Sequence, residues 1–126
     1  NDIIIDNEQT YEDYANTQTG RYCSIIEYIM EQTNNKAQII LCTPPHVGIK
    51  RMSNRNNVVN SNEPIKKIGQ RYSLPVIDML YESGFNDYNE NDFQPIDTLH
   101  FNKIGYQKMA TFIGSKIKSL YSYFEY

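Results

Sequence analysis

Apolar residues recur at helical spacing in three parts of the chain, and each part carries helix-boundary signals. Thr19 or Thr17 can cap the first helix, and Asn34 and Asn35 end it. The second helix has Pro64 near its start, where proline suits the first turn. The third helix starts at Lys103, after the good N-cap residue Asn102, and runs for about 20 residues. The apolar stripes are Tyr22, Ile25, Ile26, Ile29 and Met30, then Ile65, Ile68 and Tyr72, then Met109, Phe112, Ile113, Ile117, Leu120 and Phe124.

Two continuous apolar runs alternate with these helices and predict buried strands. The first is residues 38–42, which ends at Pro44 and Pro45, and the second is residues 74–79. Strand, helix and strand in alternation favour crossover connections and an α/β fold with a parallel sheet flanked by helices. Residues 3–5 are compatible with a further strand or a strand-like loop. Polar loops are predicted at residues 6–19, 46–57 and 81–96.

The length and charge of the chain limit what it can be. Its 126 residues suit a single domain, residues 1–126. A net charge of −3 and a pI of 5.3 leave no bulk electrostatic case for nucleic acid. No apolar run reaches the roughly 18 residues of a membrane span, so none is predicted. The chain shows no signal peptide, but it begins at Asn1 rather than Met, and we interpret it as a segment of a longer protein.

The cysteines and one of the two histidines suggest structural rather than chemical roles. Cys23 and Cys42 do not make a disulfide framework, and both are expected to be small buried hydrophobes rather than nucleophiles. His46 follows a predicted strand, where it can line a pocket or be an ordinary loop histidine. Two histidines and scattered carboxylates show no metal-ligand spacing, so neither a metal site nor a cofactor is predicted.

The strongest chemical signal is the pair Asp97 and His100, which lies just before the third helix. A carboxylate three residues before a histidine can reach its Nδ1 atom, select the tautomer and stabilise the imidazolium. The Nε2 atom then remains available as a general base. The alternative is that both residues merely mark the entry to a helix, where Asp and Asn are common.

The residues around this pair resemble the C-terminal block of the SGNH/GDSL-type serine hydrolases. Residues 97–110 read D-T-L-H-F-N-K-I-G-Y-Q-K-M-A, and the usual family form is D-x-L-H-P-N-x-x-G-x-x-x-I-A. Phe101 stands where the family often has proline, which can loosen the turn without removing any chemistry. The matching positions are Asp97, Leu99, His100, Asn102, Gly105 and Ala110.

Two earlier segments strengthen the resemblance, which extends over most of residues 20–115. I-I-L-C-T-P-P at residues 39–45 is similar to a family strand that ends in T-P. L-P-V-I-D-M at residues 74–79 is similar to its I-P-V-I-D-L strand, and S-G-F-N at residues 83–86 to the loop that follows it. The resemblance implies the C-terminal part of a flavodoxin-like three-layer α/β sandwich.

Family membership would imply ester hydrolysis by a Ser-His-Asp triad in which His100 is the general base and acid and Asp97 orients it. The family's serine lies in an N-terminal G-D-S block, and neither G-D-S nor G-x-S-x-G occurs in this chain. The nucleophile is therefore expected outside the 126 residues. Asn1, as the end of a G-x-N-D block, would donate to the oxyanion, and a second register places Asn7 there instead.

The function predicted from this resemblance is an esterase or acetylesterase acting on acylated carbohydrate or lipid. Its expected partner is the N-terminal complement of the same domain. The compartment is not determined by the sequence, although an extracytoplasmic one, secreted or at a cell or virion surface, is favoured. The rival interpretation is a non-catalytic glycan-binding or structural domain that keeps the hydrolase fold, because a fold alone does not establish activity.

Overall fold

The computed structural model describes residues 17–124, with side chains as far as residue 121. Helix predominates in this part of the chain. The elements are α1 (Gln18–Gln32), β1 (Leu41–Cys42), a 3-10 turn (Ile49–Arg51), α2 (Met52–Tyr72), β2 (Val76–Ile77), α3 (Met79–Glu82), α4 (Glu90–Phe93) and α5 (Lys103–Phe124).

The sheet is much smaller than a three-layer α/β sandwich requires, so the predicted fold class is wrong. Across residues 17–124 the sheet consists of β1 and β2 alone, which pair in parallel. The N–H of Leu41 donates to the carbonyl of Pro75, and the N–H of Thr43 donates to the carbonyl of Ile77, both at 3.0 Å. The structure is mostly helical instead.

The observed strands are shorter than the predicted ones because burial of side chains and pairing of the backbone are separate requirements. An apolar run shows that side chains are buried, whereas a strand extends only as far as its backbone finds a neighbour. Each run has one paired neighbour among the described residues. Pro44, Pro45 and Pro75 also lack the N–H that a ladder needs. Residues 38–42 and 74–79 are therefore only partly strand.

The first and last helices begin as the sequence predicts. The Oγ1 atom of Thr17 accepts the N–H of Gly20 at 2.8 Å, and the Oδ1 atom of Asn102 accepts the N–H of Gly105 at 2.8 Å. Each cap satisfies a donor that has no partner inside the helix. After α1 the chain turns at Asn34 and Asn35, whose φ angles are 52° and 61°. These boundaries are confirmed.

Helix α2 begins twelve residues before the predicted position, since it runs from Met52 rather than from Pro64. Residues 52–57 lie in the segment predicted to be a loop, and the first half of the helix is largely exposed, so it has no apolar stripe to signal a helix. Pro64 lies inside the helix, where its missing N–H leaves the carbonyl of residue 60 without the usual donor. The predicted loop at 81–96 also contains the short helix α4.

The described residues cluster into two compact units, and the first contains the main apolar core. Its described parts are residues 17–42 and Glu63–Val76. Cys23 is fully buried, as expected, whereas Cys42 is exposed, so its predicted burial is wrong. That residues 1–126 form one domain stays a prediction. The core comprises Cys23, Ile26, Leu41, Ile65 and Ile68, with Tyr22, Met30, Ile39, Tyr72, Leu74 and Val76 packed against it.

The second unit, Thr43–Asn62 with the residues from Ile77 onward, packs around aromatic rings. The ring of Phe85 lies edge-on to Phe93 at 5.3 Å and tilted against Phe101 at 4.8 Å. Phe101 thus packs where the resembled family often has proline. On α5, four residues of the predicted inner stripe, Met109, Phe112, Ile113 and Leu120, are partly buried, whereas Ile117 is 43% exposed, and the side chain of Phe124 lies outside the described residues. Among the described helices none is long and apolar enough to cross a membrane, as predicted.

Two helical glycines allow a matched test of the packing. A Cβ atom at Gly69 in α2 would lie 2.4 Å from Cγ2 of Val76 and 3.0 Å from the carbonyl oxygen of Leu74, whereas one at Gly114 in α5 would meet nothing within 4 Å. We expect Gly69→Ala to lower the free energy of unfolding by about 1–3 kcal/mol through overpacking. Gly114→Ala should raise it by up to about 1 kcal/mol through helix propensity.

Urea unfolding, followed by circular dichroism, measures both changes. The experiment uses the full-length protein, meaning the longer protein of which we interpret this chain as a segment. A Gly69→Ala variant at least as stable as the unmodified protein would contradict the packing described around Val76.

Candidate functional site

The Asp97–His100 turn has the geometry expected of a carboxylate–imidazole pair. Oδ2 of Asp97 lies 2.5 Å from Nδ1 of His100. Oδ1 accepts the backbone N–H groups of Leu99 at 3.0 Å and His100 at 2.8 Å. The hydrogen bond expected from the three-residue spacing is therefore present, and both carboxylate oxygens are held in place. The catalytic roles assigned to the two residues remain predictions.

The turn is held in a conformation that its own sequence does not favour. Thr98 has a φ of 54°, a region in which a β-branched residue is strained. Its N–H donates to the carbonyl of Gln94 at 3.1 Å, and its carbonyl accepts the N–H of Gly48 at 2.8 Å. A Cβ atom on Gly48 would lie 2.5 Å from Cβ of Thr98, so only glycine permits this approach. Neighbouring segments therefore hold the strained turn.

Hydrogen bonds determine the protonation of this pair. The bond from His100, followed by the backbone N–H groups of His100 and Leu99, holds the pKa of Asp97 well below its usual range. The ionised carboxylate only accepts hydrogen bonds, so Nδ1 of His100 carries a proton, and in the neutral imidazole Nε2 is the atom that carries the lone pair. The His100 side chain is 75% exposed, and its Nε2 atom has no hydrogen-bond partner within the described part of the chain. The lone pair is available to accept a proton.

A second group of charged side chains surrounds His46, which is 6% exposed. Its Nε2 atom lies 2.9 Å from Oε2 of Glu90 and 3.5 Å from Oδ1 of Asp87. Arg55 forms two hydrogen bonds to the Asp87 carboxylate, at 2.6 and 3.1 Å, and donates to the carbonyl of Val47 at 3.0 Å. The guanidinium holds the pKa of Asp87 below its usual range. We call these four side chains, His46, Arg55, Asp87 and Glu90, the His46 cluster.

Three members of the His46 cluster, His46, Arg55 and Asp87, line a cavity of about 250 Å³. The possibility that His46 lines a pocket is therefore realised. The remainder of the wall is mainly apolar, as is usual for pockets that bind small molecules. The lining residues are His46, Val47, Arg55, Val58, Val59, Leu80, Tyr81, Phe85, Asn86 and Asp87.

The buried side chain of Gln94 links the loop that carries His46 to the Asp97–His100 turn. Its Nε2 atom donates to the carbonyls of His46 at 2.8 Å and Leu99 at 3.2 Å. Its backbone N–H donates to the carbonyl of Glu90 at 2.6 Å. The side-chain amide of Gln94 therefore contacts the backbone beside the His46 cluster and beside the Asp97–His100 pair.

Asp78, at the end of the second predicted strand, serves the fold rather than a ligand. Its Oδ1 atom accepts from Thr43 at 3.3 Å, from Asn62 at 3.1 Å and from the N–H of Tyr81 at 2.9 Å, where it caps α3. The side chain is 3% exposed. These contacts fix the end of β2, from which the loop towards the site begins.

Sequence reasoning did not bring together the members of the His46 cluster, because they come from three separate segments. The one local signal was the three-residue spacing of Asp87 and Glu90. The two positions considered for the oxyanion, Asn1 and Asn7, lie outside the described residues.

Comparisons with known proteins support the fold alone. No family model and no curated protein matches the sequence. A solved crystal structure is similar, with a TM-score of 0.66 and 22% sequence identity, over 82% of this chain and 52% of the other. The present chain thus spans about half the length of that structure.

The depressed pKa of Asp97 makes a prediction about stability. Its contribution is present above the unfolded-state pKa of about 3.9 and is lost as the pH falls below that value. We expect Asp97→Asn to lower the free energy of unfolding at pH 7, because Asn is a weaker acceptor for these N–H groups. The difference from the unmodified protein should shrink below about pH 4. Urea unfolding at a series of pH values measures it.

Asp92→Asn serves as the matched control, since Asp92 is exposed and lies five positions earlier in the same segment. It should change stability little at any pH. An Asp97→Asn effect that is the same at pH 7 and at about pH 2.5 would mean that the carboxylate is not held ionised by the turn.

Proposed function

We propose that this chain carries the general base of a serine-type ester hydrolase, with His100 as base and acid and Asp97 as the residue that orients it. The observation that carries the proposal is the 2.5 Å contact between Oδ2 of Asp97 and Nδ1 of His100, combined with the exposure of the His100 side chain. The resemblance of residues 97–110 to the C-terminal block of SGNH hydrolases supports the same assignment.

The proposed chemistry follows from the protonation of the pair. As a serine oxygen attacks the ester carbonyl, Nε2 of His100 takes the hydroxyl proton, and the Asp97 carboxylate stabilises the imidazolium through Nδ1–H. The tetrahedral intermediate collapses, and the proton passes from Nε2 to the oxygen of the leaving alcohol. Water then attacks the acyl-enzyme, with Nε2 taking and returning its proton, and this step releases the carboxylic acid.

The serine of this proposal comes from outside the 126 residues. The chain has no G-D-S block. In addition, the contacts of four of its serines argue against any of these four being the nucleophile. The hydroxyls of Ser24, Ser61, Ser83 and Ser115 donate to backbone carbonyls three or four residues earlier. The N-terminal complement of the domain is the proposed source of the nucleophile, and either Asn1 or Asn7 is the proposed oxyanion donor. The proposed substrate is an acylated carbohydrate or lipid.

One observation is also compatible with the rival function, a non-catalytic glycan-binding or structural domain that keeps the hydrolase fold. The same four serine hydroxyls donate within their own helical turns and not to His100. If no serine is supplied from elsewhere, the Asp97–His100 pair has no hydroxyl to activate.

We expect His100→Ala in the full-length protein to lower kcat/KM for p-nitrophenyl acetate by about 10⁴-fold or more, as loss of a triad member does. Asp97→Asn should lower it by a comparable factor, because it selects the wrong tautomer. The melting temperature should hardly change on replacing His100, because its side chain is mostly exposed and the backbone N–H groups that bond Asp97 remain. Gln107→Ala, an exposed position on α5, is the control for kcat/KM. Unchanged hydrolysis in His100→Ala would remove its proposed role.

A fluorophosphonate probe tests where the nucleophile lies. The full-length protein should be labelled at a serine outside these 126 residues, and His100→Ala should abolish the labelling because the hydroxyl is no longer activated. The 126-residue chain alone should show neither labelling nor turnover. His100-dependent turnover by that chain alone would show that the nucleophilic serine lies within it.

A further inference from the structure

The His46 cluster contains three potential ligand atoms that converge without forming part of the proposed hydrolase pair. Nε2 of His46, a carboxylate oxygen of Asp87 and a carboxylate oxygen of Glu90 all lie within 4.8 Å of one another. They are contributed by a loop after β1 and by the segment that leads into α4. We propose that His46, Asp87 and Glu90 bind a divalent transition-metal ion of the zinc type.

The distances between these atoms suit a shared ion. Two ligands that each lie about 2.0–2.2 Å from one zinc ion, at angles between a right angle and the tetrahedral angle, are about 3–3.5 Å apart. The observed separations from Nε2 of His46 are 2.9 Å to Glu90 and 3.5 Å to Asp87. A single N–H at Nε2 of His46 can form a well-aligned hydrogen bond to only one of these oxygens. A cation between the three atoms would be coordinated by all of them.

The surroundings hold the ligands in position, as supporting residues do in metal sites. The two terminal guanidinium nitrogens of Arg55 bond the Asp87 carboxylate and orient it. The backbone carbonyl of His46 is held by Gln94. A Cβ atom on Gly48 would lie 2.5 Å from Oε2 of Glu90, so the loop backbone passes close beside this carboxylate.

The cavity supplies the second requirement, which is room for the remaining ligands. His46 and Asp87 both line it, so a bound ion would face a space of about 250 Å³. Three protein ligands with an open position are typical of zinc sites that also bind water.

The charges and ligand types indicate which ion is preferred. With the imidazole in the neutral form that a metal ligand requires, the two carboxylates and the Arg55 guanidinium carry a net charge of −1, which a divalent ion converts to +1. An imidazole nitrogen favours zinc and its neighbours in the first transition row over magnesium and calcium, which prefer oxygen ligands.

The test is a calorimetric titration of the chelator-treated full-length protein with zinc chloride, with magnesium and calcium chloride in parallel. We expect one zinc ion to bind per chain, with magnesium and calcium binding at least about 100-fold more weakly. His46→Gln should weaken zinc binding by at least about 100-fold, more than loss of a supporting residue does. Zinc should also raise the melting temperature of the unmodified protein and not that of the variant.

Three variants make the result specific. Glu90→Gln removes a ligand while preserving side-chain size, and it tests the site independently if His46→Gln fails to fold. His100→Gln and Cys42→Ser replace two exposed side chains that zinc could also contact, and neither should change the affinity. Absence of zinc binding, or binding that survives both His46→Gln and Glu90→Gln, would overturn the proposal and leave the cluster as an ion-pair network.

Discussion

The hydrogen bonds of Gln94 are the constraint on which the arrangement of the candidate residues depends. This side chain is fully buried, and its one amide nitrogen donates to the backbone carbonyls of His46 and Leu99. Loss of such a donor leaves buried carbonyls without a partner, at about 1–3 kcal/mol for each. The His46 loop and the turn before α5 are therefore joined through a single uncharged group, in addition to the backbone bond from Gly48 to Thr98. Gln94 belongs neither to the Asp97–His100 pair nor to the His46 cluster, yet it bonds the backbone of His46 and of Leu99, which is next to His100.

The parts of the fold that depend on local contacts could be predicted, and those that depend on distant partners could not. The caps Thr17 and Asn102 were predictable because each bonds an N–H three residues away. The strands were overestimated because strand length depends on neighbouring backbone. Helix α2 was placed too late because its Asn-rich first half is exposed and shows no apolar period, and because Pro64 is tolerated inside it.

The same distinction applies to the candidate site. The contact between Asp97 and His100 spans three residues, so its geometry could be predicted from spacing alone. The pairing of His46 with Glu90 spans 44 residues and left no pattern in the sequence. The role of Arg55 was harder still to predict from the sequence, because this residue lies in a polar stretch that was interpreted as a loop. Its position on α2 is what brings it to Asp87.

The positive φ of Thr98 has a consequence for the order in which the chain folds. A strained residue does not adopt this conformation in the unfolded chain to any large extent, so the contact between Asp97 and His100 is not formed early as a local structure. The turn is supported by the hydrogen bond from the N–H of Gly48 to the carbonyl of Thr98. Closing the loop between these two residues is slow compared with forming a helical turn. The turn is therefore expected to be one of the later parts of this unit to become ordered. For the same reason, it would be among the first to open under local unfolding, ahead of the adjoining helix α5.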